Sequence, residues 1–287
     1  MSARRAMTTL VAAVALAIAA APAAQAQGGT KAGSITKSSG TVSATLSWKG
    51  GDFAVTEPRL KVSRAGTVVT DISVADVCKN CLLVEDRFGN SDVPFSIMEV
   101  ADLDGDGEPE VMFDTYSGGA HCCVVQRVYG YTAATDSYRR TLSQYWGNTS
   151  YSVVDLDGDG TPELSGADDV FAFSFSSYAA SVFPPKILTY RFDTATRKAK
   201  VTNVTRRFPA IIRTDAARLL KVIRRAKREP QGMNEIQGTI AAYVAEQYLL
   251  GKGSVGKAEI ARARKRGLTA PGFETKLLKF LKRAGYR

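Results

Sequence analysis

The chain has 287 residues, 45% of them hydrophobic and 23% charged, a balance that excludes wholesale disorder and leaves length for one large domain or two modest ones. A single histidine, His121, excludes multi-histidine metal chemistry and makes any acid–base scheme at neutral pH depend on it or on a shifted carboxylate. The formal charge of +10 is unevenly spread: residues 27–205 hold 16 Lys and Arg against 22 Asp and Glu, and residues 206–287 hold 20 against 6, so an acidic module is joined to a basic one.

The first element is an address. Arg4 and Arg5 precede an apolar run from Leu10 to Ala21, which Pro22 breaks, and Ala24-Gln25-Ala26 supplies the small side chains that a signal peptidase cleft admits. The run is shorter than the about 20 apolar residues of a membrane span. Residues 1–26 therefore read as a cleaved signal peptide and the mature chain as secreted or extracytoplasmic from Gln27, without a transmembrane segment. Residues 27–40, made mostly of Gly, Ser, Thr and Lys, read as a flexible leader.

From 41 to 205 short alternating runs lie between turn residues. Val42 to Trp48, Leu60 to Ser63 and Ile187 to Phe192 have the period of strands, with Gly50-Gly51, Ala65-Gly66 and Phe88-Gly89-Asn90 as turns, so this module is expected to be mainly β. Phe171, Phe173 and Phe175 alternate as a strand with one face on a core. Cys78 and Cys81 form a Cys-x-x-Cys pair, and Cys122 and Cys123 follow His121. Outside the cytoplasm these four are expected to form disulfides, with three connectivities open; the alternative is a zinc site of Cys78, Cys81, His121, Cys122 and Cys123. From 206 to 287 the period becomes helical. Helices are expected from Thr214-Asp215 to Glu229, from Met233 to Leu250, around Lys257 to Arg266 and from Gly272 to Lys282.

Within the β module one acidic sequence occurs twice. Asp102-Leu103-Asp104-Gly105-Asp106-Gly107-Glu108-Pro109-Glu110 is matched by Asp155-Leu156-Asp157-Gly158-Asp159-Gly160-Thr161-Pro162-Glu163. Carboxylates at positions one, three, five and nine, with glycine at six, have the spacing of a calcium loop, because alternate residues of a tight loop turn their oxygens inward. One ion is assigned to the side chains of Asp102, Asp104, Asp106 and Glu110 with the Glu108 carbonyl, and a second to Asp155, Asp157, Asp159 and Glu163 with the Thr161 carbonyl. An EF-hand is excluded, since position twelve is Phe113 in one copy and Gly166 in the other, where a bidentate glutamate is needed.

Asp-Leu-Asp-Gly-Asp-Gly-x-Pro-Glu before an apolar strand resembles the FG-GAP/VCBS repeat, the calcium-loop unit of integrin-type β-propellers. The resemblance implies ions that brace hairpins, and adhesion or recognition by the loops. It covers the two loops. Residues 41–205 are too short for a seven-bladed ring and hold about three such repeats, so a partial propeller or an open antiparallel β array is expected. The layout, with Ser117 to Cys123 between the loops, is similar to exported bacterial proteins that carry such repeats.

Asp114, Asp168 and Asp169 are read as turn caps, with a second shell for the loops as the alternative. The basic segment reads first as the solvated face of amphipathic helices, and next as a surface for anionic cell-envelope polymer or membrane; it holds no nucleic-acid motif. Docking of the acidic module on the basic one, tuned by calcium, is a further expectation. The reading is therefore an exported, calcium-binding, non-catalytic recognition or adhesion protein, open to a protein partner; the alternative is an exported hydrolase of an anionic polymer with His121 near its site.

Overall fold

The computed structural model describes residues 32–50, 55–75, 82–83, 98–116, 123–227 and 235–287. The expected signal peptide, Cys78, Cys81, His121 and Cys122 lie outside the described residues.

Three antiparallel sheets follow one another along the chain. The first is the meander β1 (Gly33–Ser39), β2 (Val42–Lys49), β3 (Thr56–Arg64) and β4 (Thr67–Ser73). In the second, β7 (Glu110–Tyr116) is paired on one edge with β5 (Leu82–Leu83) and β6 (Met98–Ala101), then with β8 (Val124–Thr132), which pairs with β9 (Ser137–Gly147). The third is the meander β10 (Tyr151–Val154), β11 (Glu163–Ala167), β12 (Pro185–Asp193) and β13 (Lys198–Asn203). This is the open β array that the sequence pattern leads one to expect.

Side-chain alternation explains the stacking. Val42, Ala44, Leu46, Leu60 and Val62 of the first sheet pack on Val111, Phe113 and Tyr129 of the second. Met112, Val128 and Trp146 point to the opposite side of the second sheet and meet Leu164, Leu188 and Tyr190 of the third. The middle sheet is covered on both faces, and β7 accordingly reads Val-Met-Phe rather than alternating apolar and polar.

The leader reading needs correction. Residues 33–39 form β1, in register with β2 from Gly33 opposite Trp48 to Ser39 opposite Val42. Backbone pairing holds this polar strand, helped by a Thr36–Thr45 hydroxyl contact of 2.8 Å and by Ile35 on the core.

The C-terminal region is α-helical: α1 (Pro209–Arg225), α2 (Ile236–Leu249), α3 (Gly253–Lys265) and α4 (Phe273–Arg283). Helix α1 starts five residues before the expected cap at Thr214, with Pro209 at its first turn, and ends at Arg225 rather than Glu229. Helix α2 is buried from Gly238 to Gln247, so the other helices wrap it. The Phe171–Phe175 segment is not the expected strand. It is a turn segment that drives Phe171 and Phe175 into the helical core, edge-on to Phe280 at 4.9 and 5.1 Å, and leaves Phe173 58% exposed. The sheets and helices therefore interlock, and the boundary at 205/206 is a boundary in sequence more than in space. Among the described residues no helix is long and apolar enough to cross a membrane.

Candidate metal centres in two acidic loops

Each acidic sequence closes a hairpin. Ala101 pairs with Glu110 across the first loop, between β6 and β7, and Val154 pairs with Glu163 across the second, between β10 and β11. The two loops share one internal hydrogen-bond scheme. The first aspartate, Asp102 or Asp155, accepts three backbone N–H groups at 2.7–3.2 Å, from Gly105, Asp106 and Gly107 or from Gly158, Asp159 and Gly160. Asp106 accepts the Glu108 N–H and Asp159 the Thr161 N–H, each at 2.8 Å. This winding needs left-handed backbone at Gly105 and Gly107 (φ 75° and 86°) and at Gly158 and Gly160 (φ 76° and 86°), which only glycine adopts at little cost.

The winding brings three carboxylates together in each loop. One oxygen each from Asp102, Asp104 and Asp106 lies within 4.8 Å of the others, and Asp155, Asp157 and Asp159 form the matching group. Two such charges about 5 Å apart repel by about 3 kcal/mol at an effective dielectric of about 20. A set of hard oxygen donors with that repulsion fits calcium better than a soft or transition metal. Glu110 and Glu163, expected as ligands, are not in these groups: each is buried and accepts the N–H of its loop's second residue, Leu103 at 2.9 Å or Leu156 at 3.0 Å. Glu108 turns its side chain away to Arg64, whose Nη2 lies 2.8 Å from Oε2, and to the Tyr138 hydroxyl at 2.9 Å. The two loops are neighbours, since a Cβ on Gly105 would stand 3.0 Å from Thr161 Oγ1.

Their surroundings differ. Leu103 is fully buried between the second and third sheets, and Asp104 beside it is only 7% exposed. Asp104 Oδ2 accepts the Phe192 N–H of β12 at 2.8 Å, and the Asp104 carbonyl accepts Arg191 Nη1 at 3.0 Å. Asp104 Oδ1 is buried without a hydrogen-bond partner. Burial pushes the Asp106 carboxyl up, and the charges of Asp104 and Asp102 add to it. Burial, with the same aspartates, pushes Glu110 up to about 9. In the second loop Asp155, Asp157 and Asp159 are exposed, and the N–H groups of Gly160 and its neighbours hold the Asp155 carboxyl below the usual range. Asp157 Oδ2 accepts Arg207 Nη2 at 2.7 Å, an ion pair to the turn that leads into α1.

No family model matches the chain. It is 29% identical over 177 residues to a probable thylakoid lumen protein of Synechocystis sp., a match that covers 61% of this chain and 50% of that protein. It is 31% identical over 77 residues to an uncharacterized protein of Sinorhizobium fredii, covering 27% of this chain and 12% of that protein. The chain thus spans half or less of the length of these relatives. No solved structure matches.

The remaining candidates are structural where they are described. Cys123 is disulfide-bonded, which removes its thiolate from the zinc alternative, and its Sγ lies 3.1 Å from the Tyr145 hydroxyl. Asp114 is buried, accepts the Tyr151 hydroxyl at 2.6 Å and is pushed up to about 7 by burial. Asp168 holds Lys186 at 3.1 Å and the Tyr286 hydroxyl at 2.8 Å, tying the chain's end to the third sheet, and Asp169 accepts the Asn148 N–H at 2.8 Å. In the basic segment Arg206 caps α2 through the carbonyls of Tyr248 and Leu249 at 2.8 and 3.0 Å, and Arg266 caps α1 through Ile223 and Ala226 at 3.0 and 2.6 Å. Arg213, Arg224, Arg225, Lys257, Arg264, Lys265, Lys279 and Lys282 are exposed, as on solvated helix faces. Sequence reasoning missed Asp104 on β12 and Arg207 on Asp157; neither partner carries a local signal, because 87 or more residues and 50 residues separate them.

Proposed function

We propose that the chain is an exported, non-catalytic recognition module of FG-GAP/VCBS type, stabilised by calcium in its two acidic loops, whose basic helices meet anionic cell-envelope polymer or a membrane surface. The observation that carries the calcium reading is Asp104 Oδ1, a buried carboxylate oxygen without a partner beside two converging carboxylates. A buried anion left so is costly, and a bound cation removes the cost. Asp102, Asp104 and Asp106 would hold one ion and Asp155, Asp157 and Asp159 the other. The lumenal relative, the Cys123 disulfide and the signal-like start support a place outside the cytoplasm. The exposed lysines and arginines of the helices support an anionic partner.

Calorimetric titration of the mature chain tests the reading. Two calcium events are expected in the wild type and none in a variant carrying Asp102→Ala and Asp155→Ala. Heat that is the same in both proteins would contradict it. Co-sedimentation with anionic vesicles, lost at high salt and absent with neutral vesicles, tests the basic face.

A further inference from the structure

The two loops match in sequence and in internal hydrogen bonding, yet their third carboxylates meet different partners. Asp104 is fixed by the backbone of β12 and keeps one buried oxygen without a partner. Asp157 already holds a cation from the protein itself, the Arg207 guanidinium at 2.7 Å. Arg207 is not placed by chance motion of a long side chain alone. It ends the 3-10 turn Thr205–Arg207, its guanidinium lies 5.8 Å from the Phe208 ring centroid, and its neighbour Arg206 is locked to the carbonyls of Tyr248, Leu249 and Tyr286.

We infer that Arg207 decides which loop takes the cation first: it is a resident counter-cation of the second loop, so calcium fills the first loop ahead of the second and enters the second only as the Arg207–Asp157 pair parts. The inference rests on the calcium reading above and adds an order of filling to it. Calcium in the first loop meets one buried carboxylate, Asp104, between half-buried Asp102 and exposed Asp106. The Arg191 guanidinium there is bonded to the Asp104 carbonyl at 3.0 Å and leaves the carboxylate oxygen Oδ1 without a partner. Calcium in the second loop displaces a guanidinium and frees the turn that joins the sheets to α1. Second-site occupancy is thereby linked to the joint between the acidic and basic regions. The pair is half exposed, so its competition is worth an exposed ion pair and no more.

The test is calcium titration by calorimetry on the mature wild type, Arg207→Ala and Arg207→Lys, with Asp102→Asn and Asp155→Asn assigning each event to its loop. Two unequal events are expected in the wild type, the weaker lost in Asp155→Asn. Arg207→Ala should tighten the weaker event about twofold to fivefold and leave the stronger one in place. Arg207→Lys, which keeps the charge, should stay closer to the wild type than Arg207→Ala, and 0.5 M salt should shrink the difference between the Ala variant and the wild type. Equal affinities in the wild type, or an unchanged weaker site in Arg207→Ala, overturn the inference and leave the calcium reading standing. Absence of any calcium heat in the wild type and in Arg207→Ala overturns both. Circular dichroism of each variant shows whether a lost event is lost binding or lost fold.

Discussion

The first and second acidic loops separate what a short sequence decides from what its neighbours decide. Both wind around their leading aspartate by the same three N–H contacts and gather three carboxylates. The first is then covered by the third sheet, through Leu103 in the core and Asp104 on β12, while the second, with no further sheet beyond it among the described residues, meets Arg207 instead. Local residues set the shape; the next element along the array sets the electrostatics. A third carboxylate sharpens the point. Glu246 of α2 is also buried, and burial followed by the neighbouring Asp215 carboxylate pushes its carboxyl up to about 10 against the opposing charge of Arg218.

The comparison can be tested from its largest consequence to its smallest. Asp104→Ala leaves the Phe192 N–H without its partner and removes a carboxylate from the stronger site, so with calcium present it should lower stability by about 1–3 kcal/mol more than Asp157→Ala, both measured by urea unfolding. Equal losses would show that the buried link to β12 is unimportant. Glycine at position four comes next. Gly105→Ala and Gly158→Ala both force alanine into left-handed backbone, at about 1–2 kcal/mol each, but the new methyl at 105 also meets Thr161 Oγ1 and at 158 meets nothing within 4 Å. Gly105→Ala should therefore melt lower than Gly158→Ala.

Glu246→Gln gives a pH-dependent effect. A carboxyl whose folded pKa is raised contributes stability that is present below its unfolded pKa near 4.5 and lost as pH climbs toward 10. The glutamine variant lacks that loss, so it should exceed the wild type by about 1–2 kcal/mol at pH 8 and match it near pH 4. A parallel pair of pH curves would contradict the assignment. The smallest effect is on Arg207→Ala without calcium, a loss of about 0–1 kcal/mol that disappears in high salt.

Much of this was legible in the residues. The alternation of Val42, Ala44 and Leu46, and of Ile187 to Phe192, marks true strands. The doubled Asp-Leu-Asp-Gly-Asp-Gly fixes loop shape because every contact that winds it lies within six residues. Strand β1 escaped, since six polar or small residues around the single Ile35 carry no hydrophobic period and are held by pairing with β2. The Phe171–Phe175 stripe misled for the opposite reason. Its period of two is real, but the partners that bury Phe171 and Phe175 are Phe273, Phe280 and Tyr286, about a hundred residues on, and among the described residues no strand pairs with it. Pro209 did carry the signal for the start of α1, at the one helical position that suits proline, and the nearer Thr-Asp pair obscured it.

The most direct measurement is the melting temperature of the mature wild-type chain, stripped of metal with a chelator and then titrated with calcium. With calcium a hundredfold above Kd, one site adds about 2.7 kcal/mol, a rise of about 5–10 °C for a chain of this size, and Asp104→Asn should forfeit most of it. The same melting temperature with and without calcium, in wild type and variant alike, would contradict the account.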